Sequence, residues 1–369
     1  MNFSLPTSVR VGKGCLTEGG AMLSALGGRC LIVSGKSAAR RSGALADLCA
    51  VLDAEGIAYT LFEKVEENPS YATCLAAAEL ARGAGAEFIV GVGGGSPLDA
   101  AKAIAVLATV RDTSPEALYS SKWDAPPLPI VAVGTTAGTG SEVTPVAVIT
   151  SPEGLKRSLR APSLYPAVAF GDATYTLSLP PAVTRSTALD ALAHCLESYF
   201  NRSANDVSRL FARRGAEILL GLLGRVAACD ASPLTFRERE ELYCASLYGG
   251  LAISVTGTAF PHALGYFLSE QYGIPHGNAC AVYLEAFIEH NAAVAPEETA
   301  ALLRALGTDR ATLLALVRAN LPELGVLLTE EKLAALAPRY EDHKSLKKCL
   351  GTVDRAFAVA LLRRLFIPQ

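Results

Sequence analysis

The sequence lacks several features that mark particular classes of protein. Its formal net charge of -3 provides no basic surface, so neither nucleic acid nor an anionic membrane is an expected partner. No apolar run is long enough to span a membrane, and the N-terminal segment MNFSLPTSVR has no signal-like apolar core. The nine cysteines are odd in number and show no C-x-x-C spacing, which argues against a secreted disulfide framework. We therefore expect free thiols and a cytoplasmic location.

The length and composition indicate a globular protein of two domains. A chain of 369 residues exceeds one ordinary hydrophobic core, and 50% hydrophobic with 19% charged residues is typical of well-buried proteins. The first half alternates β-rich runs with helical patterns, which predicts a mostly parallel sheet covered on both faces. Its predicted strands are 30–34, 57–63, 87–93, 129–134 and 146–150, and its predicted helices are 43–56, 72–85 and 96–110.

The pattern changes at Pro180 and Pro181, after which only helical periods remain. These predicted helices are 183–200, 205–228, 235–255, 277–290, 295–306, 310–319 and 344–366. The sequence thus predicts an α/β domain of the nucleotide-binding kind over 1–179 and an all-α domain over 180–369. A ligand site is expected in the cleft between them, near the carboxyl ends of the strands.

Histidine is scarce, and three of the five histidines fall where a metal ion could gather them. Asp190 and His194 lie four residues apart, so on a helix they share one face, and His262 and His276 follow downstream. One carboxylate and three imidazoles suit a borderline ion such as Fe²⁺ or Zn²⁺, which proteins use as a Lewis acid. Taken alone, an Asp-x3-His pair is more often two polar surface residues that bind no metal. The other histidines could be loop residues that are hydrogen-bonded to the backbone.

Two small-residue turns predict a nucleotide site. The predicted strand 87–93 runs into Gly93, Gly94, Gly95 and Ser96, and a helix follows. Glycines admit a ligand close to the backbone, and a new helix end offers unpaired N–H groups and a positive dipole end, which together suit a phosphate. The alternative is a tight turn without ligand.

Polar side chains accompany both turns. Asp99 and Lys102 lie in the first turns of the helix after the glycines; the lysine faces either the pyrophosphate or solvent. A second turn, GTTAGTGSEVTP at 134–145, also follows a strand. Its candidate cofactor-binding residues are Thr135, Thr136, Thr139 and Ser141.

Four segments in one order carry a family resemblance: GGGSPLDAAKA, TTAGTGSEVTP, DALAHCLESY and PHALGYFLSEQYGIPHGNA. Together they resemble the iron-containing (group III) alcohol dehydrogenases. The resemblance implies a dehydroquinate synthase-like architecture, with a Rossmann-like α/β dinucleotide-binding domain and an all-α metal domain. It also implies NAD(P)-linked interconversion of a small alcohol and an aldehyde or ketone, with the substrate oxygen bound to Fe²⁺ or, alternatively, Zn²⁺. A homodimer is expected from the resemblance alone.

The resemblance carries roles onto matching residues. It implies that Asp190, His194, His262 and His276 are the metal ligands and that the glycine turn and Thr135–Thr136 bind the dinucleotide. It further suggests cofactor contacts at Lys156 and, through backbone, at Leu177.

Three departures from the family pattern bear on function. Where NAD-preferring members often have Asp after the strand at 30–34, this chain has Gly35, followed by Lys36, Ser37, Arg40 and Arg41. Because no carboxylate repels the 2′-phosphate of NADP(H) and cations lie nearby, we predict a preference for NADP(H) over NAD(H). The alternative is that these residues are only a basic helix start at the surface.

The other two departures lie elsewhere in the chain. Tyr266 stands where many members have a further histidine near the nicotinamide; it would relay a proton or bind substrate, or else simply pack in the core. Gly134 replaces a proline and is expected to loosen the entry to the second loop.

Other functions were weighed against this one. A dehydroquinate synthase-like lyase needs several cations for its anionic substrate, yet no Lys or Arg occurs between Glu240 and Leu303. A glycerol dehydrogenase-like or maleylacetate reductase-like oxidoreductase remains open. A metal-stabilised binding protein would not require a phosphate site.

Overall fold

The computed structural model describes residues 3–368, which fold into two compact units. One unit comprises residues 3–180 together with Leu234–Gly250, and the other comprises Pro181–Pro233 together with residues 251–368. The outer limits of the predicted domains, residues 1 and 369, lie outside the described residues. The predicted boundary divides the chain into two continuous segments, whereas the α/β unit also contains the segment Leu234–Gly250.

The α/β unit is built on a six-stranded parallel sheet of order β1-β8-β5-β4-β2-β3. The strands of the unit are β1 (Ser8–Val11), β2 (Arg29–Gly35), β3 (Ala58–Val65), β4 (Phe88–Gly93), β5 (Ile130–Gly134), β6 (Val146–Thr150), β7 (Lys156–Arg160) and β8 (Val168–Gly171). Its helices are α1 (Gly20–Ser24), α2 (Ala38–Arg41), α3 (Ala44–Ala54), α4 (Tyr71–Gly83), α5 (Gly95–Leu107) and α6 (Pro115–Tyr119). The predicted α/β class with a mostly parallel sheet is confirmed.

Both faces of this sheet are buried, as its near-continuous apolar strands require. Leu31 and Val33 pack on one face with residues of α4 and α5, whereas Cys30 and Ile32 pack on the other with residues of α1 and α3. Successive side chains of a strand point to opposite faces, so one strand serves both cores. The parallel arrangement places the carboxyl ends of β2, β4, β5 and β8 along one edge of the sheet.

Strand prediction was incomplete at the margins of the sheet. The run 146–150 is a strand, but it pairs antiparallel with β7 in a separate two-stranded sheet. Its alternating burial, with Ala147 and Ile149 buried, suits a hairpin packed on one side. The edge strand β1 and its neighbour β8 are only four residues long, too short for a clear periodic pattern.

The other unit is helical. Its elements are α7 (Pro181–Tyr199), α8 (Asp206–Ala227), α10 (Phe260–Tyr272), α11 (His276–Ala281), α12 (Leu284–Val294), α13 (Pro296–Ala305), α14 (Arg310–Asn320), α15 (Glu330–Leu336) and α16 (Arg355–Phe366). The long helix α9 (Phe236–Thr256) contributes its residues after Gly250 to this unit and the preceding ones to the α/β unit.

Several predicted helix boundaries were wrong. The expected single helix 277–290 is two helices, α11 and α12, and the helix expected over 344–366 begins only at Arg355. The prediction also missed α10, which has Pro261 in its first turn and ends at Gly273 in the left-handed region. Proline fits a first turn because the N–H it lacks would have no intrahelical partner there.

No single helix among residues 3–368 has both the length and the apolar character needed to cross a membrane. Taken together, α9 and α10 have the required length and composition, but the chain bends by 109° at the break between the two helices.

Candidate metal centre and nucleotide-binding loops

The four predicted metal ligands converge in the helical unit. The Nε2 atoms of His194, His262 and His276 lie 3.9, 3.5 and 3.9 Å from Oδ1 of Asp190. Asp190, His194 and His262 are at least 96% buried in the folded chain, whereas the His276 side chain is 30% exposed. Three imidazole nitrogens therefore surround one carboxylate oxygen, with access from the side of His276.

Three helices supply these side chains, and close backbone contacts bring them together. α7 carries Asp190 and His194, one helical turn apart, while α10 carries His262 and α11 begins at His276. A Cβ atom on Gly277 would lie 1.8 Å from the Ser186 carbonyl oxygen, and one on Gly265 would lie 2.8 Å from the Ala279 carbonyl oxygen. Only glycine allows these approaches, which draw α11 against α7 and α10.

Glu197 completes the arrangement from one turn further along α7. Its carboxylate is fully buried and accepts hydrogen bonds from Nδ1–H of His262 and from the backbone N–H of Ala259. This bond fixes the orientation of the His262 ring with Nε2 on the side of Asp190, where Nε2 would be available to a metal ion. Glu197 was not predicted, although Asp190, His194 and Glu197 follow the i, i+4, i+7 spacing of one helix face.

The cluster attracts positive charge. Burial would raise the pKa of Asp190, but His194, His276 and His262 hold that pKa well below its usual range. Burial would lower the pKa of His262, but Cys280, Glu197 and Asp190 hold it well above its usual value. Oδ1 of Asp190 and Nε2 of His262 are buried, face each other at 3.5 Å and make no shorter hydrogen bond among residues 3–368. Buried polar atoms of this kind are normally satisfied, so a bound cation fits the donor set.

Cys280 lies in the same cluster, a position that was not predicted. One donor atom each of Asp190, His262, His276 and Cys280 lies within 4.8 Å of the other three. The thiol is fully buried, and its sulfur lies 3.8 Å from both ring nitrogens of His276. The spacing of His276 and Cys280, four residues apart on α11, was a signal available in the sequence.

Tyr266 borders the cluster on the side of His276. Its ring is stacked on the His276 imidazole, with centroids 6.0 Å apart and an interplanar angle of 21°. The side chain is partly exposed, in contrast to the fully buried Phe267 that follows it. Simple core packing therefore does not account for Tyr266.

In the α/β unit, the two predicted turns meet at the edge of the sheet. Gly93 pairs with Gly134 in the register of β4 and β5, and the Thr135 N–H donates to the Gly93 carbonyl. A Cβ atom on Gly94 would lie 3.0 Å from the Thr136 side chain. One on Gly95 would lie 2.6 Å from the side chain of Thr139. The two loops thus form one surface at the N-terminus of α5, which begins at Gly95.

Asp99, Lys102 and Ser141 are directed into the protein. The fully buried Lys102 ammonium donates to the Ser141 hydroxyl and carbonyl and to the Val146 carbonyl, at 2.7–2.8 Å, and to the Thr144 hydroxyl at 3.3 Å. The Asp99 carboxylate accepts from the Ser141 hydroxyl and from a backbone N–H of β6. Burial lowers the pKa of Lys102 to about 8, although nearby carboxylates oppose this.

The alternative of a solvated Lys102 is therefore wrong, whereas its place facing a pyrophosphate stays a prediction. Its ammonium is hydrogen-bonded by the segment 141–146, which lies 39 to 44 residues further along the chain. Lys102, Asp99 and Ser141 thus hold the second loop in place.

The remaining predicted cofactor residues lie near the same sheet edge. Gly35 ends β2, the neighbour of β4, and the exposed Lys36 and Ser37 follow it. Leu177, 47% exposed, follows the turn after β8. Lys156 begins β7; burial raises the pKa of Asp99, and the charges of Lys102 and Lys156 oppose that rise. Ser96 accepts a hydrogen bond from the Asn68 N–H.

The cationic helix start after Gly35 is only partly available to a ligand. Arg40 forms a two-point ion pair with Glu63, with Nε and Oε1 2.6 Å apart. Lys36 and Arg41 are exposed and form no ion pair with any residue in the described range 3–368. Of the three nearby cations, Lys36 and Arg41 are therefore available to bind an anionic ligand.

Glycine is required at position 134 because the hydrogen-bonded side chains of Glu142 and Tyr243 occupy the adjacent space, a contact that was not predicted. A Cβ atom at Gly134 would lie 2.1 Å from both Oε1 of Glu142 and the hydroxyl oxygen of Tyr243. These two side chains are buried and hydrogen-bonded at 2.7 Å. The expected loosening of the loop entry is wrong, because Gly134 is fully buried within β5 and the space a larger residue would fill is already occupied.

Comparison with known proteins agrees with this geometry. The family model described as iron-containing alcohol dehydrogenase matches residues 6–173, and the model for the C-terminal part of the same family matches residues 184–349. The chain belongs to the iron-containing alcohol dehydrogenase family. It is therefore an oxidoreductase that acts on alcohols or aldehydes with a nicotinamide cofactor, and the alternatives of a lyase or a binding protein are set aside.

Individual relatives lie at moderate identity. The chain is 34% identical to the probable alcohol dehydrogenase EutG of Escherichia coli (strain K12), over 84% of this chain and 78% of that protein. It is 32% identical to the lactaldehyde reductase of the same organism, over 76% and 72%. An iron-containing alcohol dehydrogenase from Thermotoga maritima has a similar structure, with a TM-score of 0.91, 36% identity and 99% coverage of both chains.

Proposed function

We propose that this iron-containing alcohol dehydrogenase family member is an Fe²⁺-dependent reductase of small aldehydes, and dehydrogenase of the matching alcohols, that prefers NADP(H). The observation that carries the proposal is the convergence of three histidine Nε2 atoms within 3.9 Å of the Asp190 carboxylate. A divalent ion held by these residues would supply a Lewis acid beside the substrate oxygen, and a nicotinamide cofactor would supply the hydride chemistry.

The side chains of the centre have distinct parts in this proposal. Asp190, His194, His262 and His276 would hold the ion, and three neutral imidazoles with one carboxylate would leave a net positive charge at the centre. That charge would favour an anionic substrate oxygen over a neutral one. Glu197 orients His262, and burial of the centre excludes water, which strengthens each electrostatic contact. The exposed side of His276 is the route by which we infer that substrate enters.

We assign the dinucleotide to the loops at the sheet edge. The first N–H groups of α5 and the glycine surface at 93–95 would bind the phosphates, because a helix N-terminus there meets a backbone free of side chains. Thr135, Thr136 and Thr139 supply hydroxyl donors, while the Lys102–Ser141–Asp99 network holds the second loop in place. Fe²⁺ remains exchangeable with Zn²⁺ in this account, since both ions accept these ligands.

The preference for NADP(H) yields a first prediction. With Gly35 in place of a carboxylate and Lys36 and Arg41 exposed, we expect kcat/KM with NADPH to exceed that with NADH by about tenfold or more, since one favourable contact with a phosphate is worth about 1.4 kcal/mol or more. The variant Gly35→Asp should reverse the preference. A Cβ there meets the Val65 carbonyl at 3.3 Å, so only a small adjustment is needed. Initial rates with both cofactors decide the matter; a strong NADH preference of the natural protein would refute it.

A second prediction concerns Tyr266. If its hydroxyl passes the proton between substrate and solvent, Tyr266→Phe should lower kcat by about tenfold or more and change the shape of the pH profile, with metal content unchanged. Tyr272→Phe, on the same helix, is the matched control. Unaltered turnover and pH profile in Tyr266→Phe would exclude the relay.

We propose a small substrate, a cytoplasmic enzyme and a homodimer. None of the nine cysteines, all of which lie within residues 3–368, forms a disulfide, which suits a reducing compartment. The outer edge of β1 has no strand partner among the described residues, and an edge strand can pair with a second copy. The relative that reduces lactaldehyde makes short aldehydes the first panel to test.

The test of the whole proposal is the loss of NADPH absorbance with that panel, using anaerobically purified protein of measured iron and zinc content. The expected result is metal-dependent turnover of at least one short aldehyde, abolished by chelation and restored by Fe²⁺. Full activity in metal-free protein would contradict the proposal.

A further inference from the structure

Cys280 occupies a place in the metal cluster that packing alone does not require. Its sulfur and one donor atom each of Asp190, His262 and His276 lie within 4.8 Å of one another. Two ligand atoms on one ion, at bond lengths of about 2.0–2.3 Å, lie no more than roughly 4.6 Å apart. A small contraction would therefore place these four atoms, together with Nε2 of His194, around one five-coordinate centre.

The ordinary explanation for a buried cysteine is packing, since a free thiol behaves as a small apolar group. Cys195, Cys229 and Cys349 are equally buried in the helical unit and belong to no such group among residues 3–368. Cys280 differs because its sulfur lies beside Oδ1 of Asp190 and Nε2 of His262, two buried atoms that face each other at 3.5 Å and make no shorter hydrogen bond among those residues. A buried thiol can donate only one weak hydrogen bond to this group, whereas a shared cation would bind all of its donor atoms at once.

We propose that Cys280 is a further ligand of the metal ion and binds it as a thiolate in the protein without substrate. This rests on the metal centre proposed above. On binding, the thiol proton is released to solvent and a sulfur–metal bond forms, with no change of oxidation state. In the protein without substrate, a carboxylate and a thiolate together neutralise the divalent ion; the thiolate must take up a proton and leave the ion before the net positive charge that favours an anionic substrate oxygen returns. Sulfur favours thiophilic ions such as Zn²⁺, Co²⁺ and Cd²⁺. The centre then holds zinc more tightly than an oxygen and nitrogen donor set alone would.

The experiment uses full-length protein stripped of metal by a chelator and loaded anaerobically with one equivalent of Co²⁺, without substrate. A thiolate bound to Co²⁺ gives an intense charge-transfer band in the near ultraviolet, whereas imidazole and carboxylate ligands give only weak visible bands. We expect the band in the natural protein, its loss in Cys280→Ser and Cys280→Ala, and its retention in Cys229→Ser. Zinc affinity, measured against a chromophoric chelator, should fall at least tenfold in both Cys280 variants.

Each other outcome overturns a defined part of the account. A charge-transfer band that persists in folded Cys280→Ala would show that a thiol other than Cys280 binds the cobalt ion. That result would refute the proposal. Stoichiometric cobalt with weak visible bands only, in the natural protein, would remove Cys280 as a ligand and leave the metal centre in place. Failure of the natural protein to take up cobalt or iron would remove the metal centre itself.

Discussion

His262→Ala and His276→Ala are each expected to lose the metal ion and at least about a thousandfold in kcat/KM. A Lewis acid stabilises developing charge on a substrate oxygen by several kcal/mol, and each 1.36 kcal/mol is a factor of ten in rate. His262 has the nearer Nε2 atom, 3.5 Å from Asp190, and is buried, so no solvent group can replace it. His276 is 30% exposed, and added imidazole should restore part of the activity of His276→Ala but not of His262→Ala.

The measurements are iron and zinc content of purified protein and steady-state rates with excess Fe²⁺ present. His343→Ala, a histidine outside the cluster, is the control and should keep its metal. Full metal occupancy with normal rates in either cluster variant would show that the ion, if any, is held elsewhere.

Glu197→Gln is expected to weaken metal binding by about 10- to 100-fold while the protein stays folded. The amide cannot accept both the Nδ1–H of His262 and the Ala259 N–H as the carboxylate does, and a neutral group stabilises the imidazole ligand less. Because Glu197 acts through His262, it is a positioning residue. We therefore expect the rate at saturating Fe²⁺ to fall much less than the affinity for the ion.

Glu285→Gln is the matched control, since Glu285 forms an exposed pair with Arg318 on the same unit and such pairs contribute little. Metal dissociation constants and the free energy of unfolding of metal-free protein are measured for both variants. If Glu197→Gln loses metal affinity only in proportion to its loss of metal-free stability, its role is structural and the orienting role is excluded.

Features that depend on local spacing were predictable from the sequence. The shared face of Asp190 and His194 follows from the helical period alone. The glycine turn after a buried strand favours a phosphate site, but a tight turn without ligand has the same sequence pattern. His262 and His276 have no local signal that ties them to Asp190; the family resemblance supplied their role. The structure then shows why they meet, through Gly265 and Gly277, which admit backbone contacts that no other residue would allow.

Features that depend on distant partners were not predictable in the same way. Lys102 looks like a solvated or ligand-facing lysine until the oxygens of segment 141–146 fold over it. Glu197 sits on the metal-facing side of α7, but its partner His262 is 65 residues away, so the spacing alone could not distinguish it from an ordinary polar residue. From the sequence, glycine instead of proline at position 134 was expected to make the loop entry less rigid. The structure shows that Glu142 and Tyr243 occupy the space that a larger residue would need.

The most direct test of the central claim is anomalous X-ray diffraction from anaerobically grown crystals, recorded on both sides of the iron absorption edge. The account predicts a single iron peak in the helical unit of each chain, within bonding distance of Oδ1 of Asp190 and of Nε2 of His194, His262 and His276. An iron peak at another position, or none in protein that is active and shown by analysis to contain iron, would contradict it.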